Sequence, residues 1–370
     1  MINTPNPTGP AGQTPTAGAP TLKEAFKDDF YIGAALSLDQ ISGREPAAMA
    51  VVAHHFNSIT PENILKWEEV HPKPGQYNFE TADRYVAFGE THRMHIIGHT
   101  LVWFHQTPDW VFQDDSGKPL GRAALLDRMK EHIFTVMGRY RGRIHAWDVV
   151  NEAIIPDGSW RKSKWHEIIG EDYVAKAFEF AREADPGAEL YYNEYDLEAG
   201  PKREGVIGLL EGLQSKGVRV DGLGIQGHWF VDNPRLDAIE EQLEVLARLC
   251  PKLMITELDV GVLPFRRFDS GIVDISSFDA AEQKKLNPWP DGLPDSAQKD
   301  LATRYAELFT LFRKHRDKLG RITFWGVHDA QTWRNYWPIT GRTEYPLLFD
   351  RHCQPKPALD AVIKVGRGPA

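Results

Sequence analysis

HAWDVVNE, residues 145–152, decides how the chain reads. A short apolar run, rich in β-branched and aromatic side chains, ends on an amide and a carboxyl, Asn151 and Glu152. Just upstream, Leu125, Met129, Ile133, Met137 and Tyr140 recur at helical spacing across 125–140, which predicts a helix that buries one face before the chain enters a strand. Helix, strand and polar tip make one β/α unit.

Outward from this unit the pattern repeats. Comparable runs are FYIGAAL (30–36), HHFNSIT (54–60), HIIGHTLVW (95–103), ELYYNEY (189–195), GLGIQGH (222–228), KLMITELDV (252–260) and ITFWGV (322–327), making eight in all. Amphipathic stretches lie between them. Leu236, Ile239, Leu243, Leu246 and Cys250 share a helical face in 236–250, and Leu301, Tyr305, Leu308, Phe312 and Leu319 in 301–319. Asn233 and Pro234 read as an N-cap followed by proline at the first helical position. The segment from Gly261 to Lys299, containing NPWPDGLP (287–294), reads as a long loop. Strands alternating with helices imply a parallel sheet, and eight units imply closure. An open doubly wound sheet is the rival, and it ordinarily carries a G-x-G-x-x-G turn after its first strand, which is missing here. The expected fold class is α/β, a single (β/α)8 TIM barrel over 21–370.

Length agrees with this. The chain has 370 residues, long for one domain but ordinary for a barrel. Residues 1–20, almost all Pro, Gly, Thr, Ala, Asn and Gln, hold too little apolar surface to pack and read as a disordered tail or linker stub. With net charge −9 and no Lys/Arg run, the chain lacks the basic face that a nucleic-acid partner requires. No apolar run reaches the ~18 residues of a membrane span. Cys250 and Cys353 stand in no ligand-spaced motif, so they read as free thiols or as one disulfide. The 14 His include no H-E-x-x-H pair, and neither a metal nor a cofactor is expected. The N-terminus has no basic and apolar signal pattern. The chain is expected to act as a secreted or periplasmic protein whose signal is no longer attached, with the cytoplasm as the alternative.

In a barrel, chemistry gathers where strands end. The polar residues there are Glu62 and Asn63 after the second run, His99 and Trp103 in the third, and Asn151 and Glu152 in the fourth. Asn193 and Tyr195 follow in the fifth, Gln226 and His228 in the sixth, Glu257 and Asp259 in the seventh, and Trp325 in the eighth. A carboxyl buried in a strand is unfavourable unless paired, so two of them on one rim call for a reason beyond a salt bridge. Two carboxylic acids flanking a glycosidic bond can cleave it. Asn151, beside Glu152, is placed to hydrogen-bond a sugar hydroxyl. Glu257 and Asp259 are two residues apart and share a strand face, and His228 could bridge them and keep Glu257 ionised. Trp67, Trp103, Trp110, Trp160, Trp325, Trp333 and Trp337 lie near strand ends. Each reads as core packing or as a stacking platform for a sugar ring.

WDVVNE (147–152), ITELD (255–259), GHTLVW (98–103), ENILKW (62–67), QGHW (226–229) and TFWGV (323–327) together resemble the glycoside hydrolase family 10 xylanases, over roughly residues 22–365. The resemblance implies Glu152 as acid/base and Glu257 as nucleophile of a retaining endo-β-1,4-xylanase. It implies a polar grip on the non-reducing-side sugars from Glu62, Asn63, Lys66 and His99. Gln226, His228, Trp325 and Trp333 would surround the cleaved unit, and Asn193 and Tyr195 would belong to a substrate-side segment. Xylan and xylo-oligosaccharides would be its partners, without cofactor, and the chain would work as a monomer. One departure is local. After GHTLVW the family usually continues with His, whereas this chain has Phe104 and then His105, which puts the polar contacts around Trp103 in question. A cellulose- or mannan-cleaving barrel is the nearest rival reading. A non-catalytic carbohydrate-binding barrel is the more distant one, and the presence of both carboxylates argues against it.

Overall fold

A computed structural model describes residues 20–266 and 271–368. The tail expected at 1–20 lies outside the described residues but for Pro20. Eight parallel strands close on themselves: β1 (Tyr31–Leu36), β2 (Ser58–Pro61), β3 (His95–Val102), β4 (Ala146–Asn151), β5 (Glu189–Glu194), β6 (Gly222–Ile225), β7 (Leu253–Gly261) and β8 (Leu319–Phe324). Each pairs with the next, and β8 completes the ring against β1 with Ile32 opposite Ile322. The barrel expected from the sequence is therefore present.

Its core has two parts. Inside the barrel Ile97, Ala146, Tyr191 and Met254 meet. Around it a large apolar layer joins strands to helices. The helix Arg122–Arg139 shows the logic, since Leu125, Met129, Ile133, Val136 and Met137 are all buried. Each such side chain contributes on the order of 1.5–3 kcal/mol on leaving water. Gly98 is required by close approach, because a Cβ there would overlap the indole of Trp147 on the neighbouring strand.

Several local expectations are corrected. The helix read over 301–319 spans Asp295–Lys314, and Leu319 opens β8 instead. The turn at 315–318 breaks the periodicity that Leu319 happens to continue. His54 and His55 end the helix Pro46–His55 and are not part of β2. Asn233 and Pro234 do not cap the next helix, which starts at Leu236 with Arg235 as N-cap; their peptide bond is cis. The sixth run splits: Gln226 follows β6, whereas His228 begins a short strand, His228–Phe230, that pairs with β7. The segment 261–299 is not all loop, as Ala280–Leu286 is helical and a longer helix starts at Asp295. Cys250 and Cys353 are free thiols. No helix among the described residues is long and apolar enough to cross a membrane.

Candidate active site

A cleft of about 770 Å³ opens at the C-terminal ends of the strands. Glu62, Asn63, Lys66, His99, Trp103, Asn151, Glu152, Tyr195, Gln226, His228, Glu257, Trp325 and Trp333 line it together. Asn193 and Asp259 lie directly beneath, both fully buried. Strand ends bring these residues together because parallel neighbours share one register: Asn151 sits opposite Asn193, and His228 opposite Asp259.

The two carboxyls are joined by amides. The Asn193 side-chain nitrogen donates to Glu257 Oε1 at 2.7 Å and to Asn151 Oδ1 at 2.9 Å. The Asn151 side-chain nitrogen in turn donates to Glu152 Oε1 at 3.2 Å. Gln226 Nε2 reaches the same Oε1 at 2.8 Å, and Trp103 Nε1 reaches Oε2 at 3.1 Å. Thr256 fixes Asn193 from behind, donating to its Oδ1 at 2.6 Å.

The two carboxyls differ in their partners. Glu257 is buried, which alone would push its carboxyl up. The hydrogen bond and charge of His228, helped by His99 and Lys66, outweigh this and hold it below the usual carboxylate range. His228 does bridge: Nε2 lies 3.1 Å from Glu257 and Nδ1 lies 3.1 Å from Asp259. Burial pulls the imidazole down, yet Asp259 and Glu257 together raise it to about 9. Asp259 is itself anchored, accepting from Arg334 Nη2 at 2.7 Å and Trp333 Nε1 at 2.7 Å. The ligands of Glu152 are neutral donors instead.

On one flank, Lys66 Nζ donates to Asn63 Oδ1 at 3.0 Å and to Gln106 Oε1 at 2.9 Å, and lies 4.6 Å over the Trp103 ring. Burial lowers the Lys66 ammonium and raises the Glu62 carboxyl. His99 is oriented by Asp148 at 2.9 Å and meets Trp325 edge-on at 5.3 Å.

Of the tryptophans, Trp103, Trp325, Trp333 and Trp337 line the cleft. Trp67 does not: it is buried, donates to the Leu101 carbonyl and stacks on His132. Trp110 packs on Trp67, and Trp160 on His166 and Tyr173. Phe104 lies on the cleft wall, 40% exposed, under the guanidinium of Arg161. Sequence reasoning passed over Gln106, Arg161 and Arg334. They come from loops whose path a strand pattern does not reveal, although Arg334 beside Trp333 was within reach. Among the described residues, Glu240, Glu244 and His315 are close enough together to hold an ion, but they lie on outer helices, and Glu240 already pairs with Lys314.

The chain is 40% identical over 346 residues to endo-1,4-beta-xylanase A of Xylanibacter ruminicola, covering 94% of this chain and 93% of that one. It is 39% identical over 348 residues to an endo-1,4-beta-xylanase of Geobacillus stearothermophilus, covering 94% and 98%. A solved GH10 endoxylanase retrieved from sugarcane soil metagenome superposes with a TM-score of 0.87 at 43% identity, over 94% of this chain and 99% of that one. With residues 21–365 matching Glycosyl hydrolase family 10 from end to end of the barrel, the chain belongs to that family.

Proposed function

We propose that this chain is a retaining endo-β-1,4-xylanase, with Glu257 as nucleophile and Glu152 as acid/base. One observation carries the division of roles. Glu257 lies 3.1 Å from a His228 that Asp259 and Glu257 together hold toward its charged form, while Glu152 is held by neutral amide and indole donors. In the first step Glu257 attacks the anomeric carbon, the glycosidic bond breaks, and the proton of Glu152 passes to the departing sugar oxygen. In the second step Glu152 takes a proton from water, whose oxygen displaces Glu257 from the same carbon. Two inversions restore the β-configuration. Asn193 and Gln226 keep each carboxyl in place throughout, which is the preorganisation that such chemistry rewards.

The names of the relatives support xylan as substrate. The cleft is complete within one chain, so we read the working form as a monomer. A polymer substrate favours action outside the cytoplasm. The test is to assay the pure protein on xylan, cellulose and mannan and follow the first-formed anomer by NMR. Rapid chain-length loss on xylan with β-anomer first is expected. An α-anomer would remove Glu257 as nucleophile, and preference for cellulose or mannan would remove xylan as substrate.

A further inference from the structure

Glu152 is the first residue past β4, and its backbone is left-handed, with φ +58°. A side chain other than glycine adopts this only when its surroundings impose it. The backbone around it is gripped on every side. Glu152 N donates to the Asn193 carbonyl at 3.0 Å, Ala153 N to Tyr192 Oη at 2.9 Å, and Ile154 N to Glu194 Oε2 at 3.2 Å. These grips come from β5. On the opposite side, among the described residues, the hold comes from Arg161. Its Nε donates to the Glu152 carbonyl at 2.8 Å, and its own backbone N–H donates to the Ala153 carbonyl at 2.8 Å.

The guanidinium is fixed in turn. Its Nη2 donates to Tyr195 Oη at 3.1 Å, and its face lies 4.0 Å from the ring of Phe104. The bridge between Ile154 and Trp160 folds the intervening loop back and delivers Arg161 to this spot. No charged partner takes part in these contacts. A cation here is bound by a carbonyl dipole, a phenol oxygen and an aromatic face.

We propose that Arg161 is a positioning residue for the acid/base, and that Phe104 clamps it. The inference rests on the reading of Glu152 given above. The direction of the Glu152 carbonyl and the placement of its carboxyl share one pair of backbone dihedrals. Releasing the carbonyl lets that pair relax, which swings the carboxyl away from Trp103 and Gln226. A displacement of about 1 Å in a proton donor can cost a hundredfold in rate.

A residue that merely staples the 154–160 loop would affect stability or all substrates alike. A positioning residue for the acid shows leaving-group dependence. Arg161→Met keeps the stem and removes the donors. On xylotriose its kcat/KM should fall by roughly 10²-fold, within the range that general acid help supplies. On a dinitrophenyl xylobioside, whose leaving group needs no proton, kcat/KM should fall less than about threefold. There kcat and KM should drop together, because the second step still needs a well-placed base. Arg161→Lys, with one donor restored, should recover part of the loss on xylotriose. Phe104→Ala should move in the same direction by a smaller factor and add little to Arg161→Met. Equal losses on both substrates, or a lowered melting temperature with rates intact below it, overturn the inference. Glu152→Ala, run alongside, separates the two readings. If it shows leaving-group dependence and Arg161→Met does not, only the positioning role falls. If Glu152→Ala shows none, the acid/base assignment falls and the role of Arg161 falls with it.

Discussion

Nε2 of His228 lies 3.1 Å from Oε2 of Glu257, so a buried carboxylate faces a partly buried imidazole whose other nitrogen is turned to Asp259. The pair explains why Glu257 stays below the usual carboxylate range despite its burial. It also gives stability a pH signature. His228 titrates at about 9 in the fold against an ordinary 6.5. A raised folded value means that the contribution is complete below about 6.5 and is lost as pH rises through 9. Melting temperatures of the native chain and of His228→Asn should therefore differ most near pH 6 and converge above pH 9. Parallel curves across that range would mean that His228 is not held as a cation. The same variant should lose rate severely and shift the acidic limb of kcat/KM upward, because Glu257 loses its counter-charge.

Small-anion rescue tests the acid/base from another side. Glu152→Ala should hydrolyse xylan very slowly, by the roughly 10²–10⁴-fold that acid–base help is worth. With an activated aryl glycoside, azide should enter the vacated space and restore turnover, giving a β-configured glycosyl azide. Glu257→Ala should show no intermediate and no comparable rescue. If the two variants respond identically to azide, the division of labour is wrong.

Gly224 offers a test of the amide bridge. A Cβ at this position on β6 would press on Asn193 Oδ1 and the Thr256 methyl, closer than van der Waals contact allows. Asn193 cannot yield without disturbing its bonds to Glu257 and Asn151. Gly224→Ala should lose about 1–3 kcal/mol through overpacking and also roughly 10–100-fold in rate. Denaturant melts and xylan kinetics read the two effects. Lost stability with an unchanged rate would show that Asn193 does not set the geometry of Glu257.

Glu62 lies beside Lys66 on the cleft wall, and burial raises its carboxyl while the Lys66 charge works against the rise. Its removal leaves no cavity in the core. Glu62→Ala should lower kcat/KM on short xylo-oligosaccharides by an order of magnitude or more, with a stability change within about 0.5 kcal/mol, as expected of a substitution away from the core. Unaltered kinetics would remove Glu62 from the substrate grip.

The barrel was legible because its signals are local. Strand runs such as KLMITELDV carry their period within nine residues, and a carboxyl stranded at the end of an apolar run announces itself by its improbability there. Glu152 and Glu257 stand out in this way, Asp259 follows from sharing a strand face with Glu257, and His228 from its place at the neighbouring strand end. Helix ends were less legible. Leu319 continued a helical period by accident, and Asn233–Pro234 imitated a cap, because neither pattern contains the tertiary contacts that decide where a helix stops. Trp67 shows a similar ambiguity: composition cannot distinguish an indole that stacks on sugar from one that packs on His132.

Periodicities of two and 3.6 residues written along the chain are enough to yield eight β/α units and the residue types at their tips. How those tips work together is set by contacts between distant parts of the chain. The closure of β8 on β1 joins residues almost 300 positions apart, as in Ile32 and Ile322. Arg334 anchors Asp259 across 75 positions, and Arg161 holds a left-handed Glu152 from a loop that returns to it. Such contacts depend on distances that no local pattern encodes, and they are what turn two carboxyls on a rim into an oriented pair.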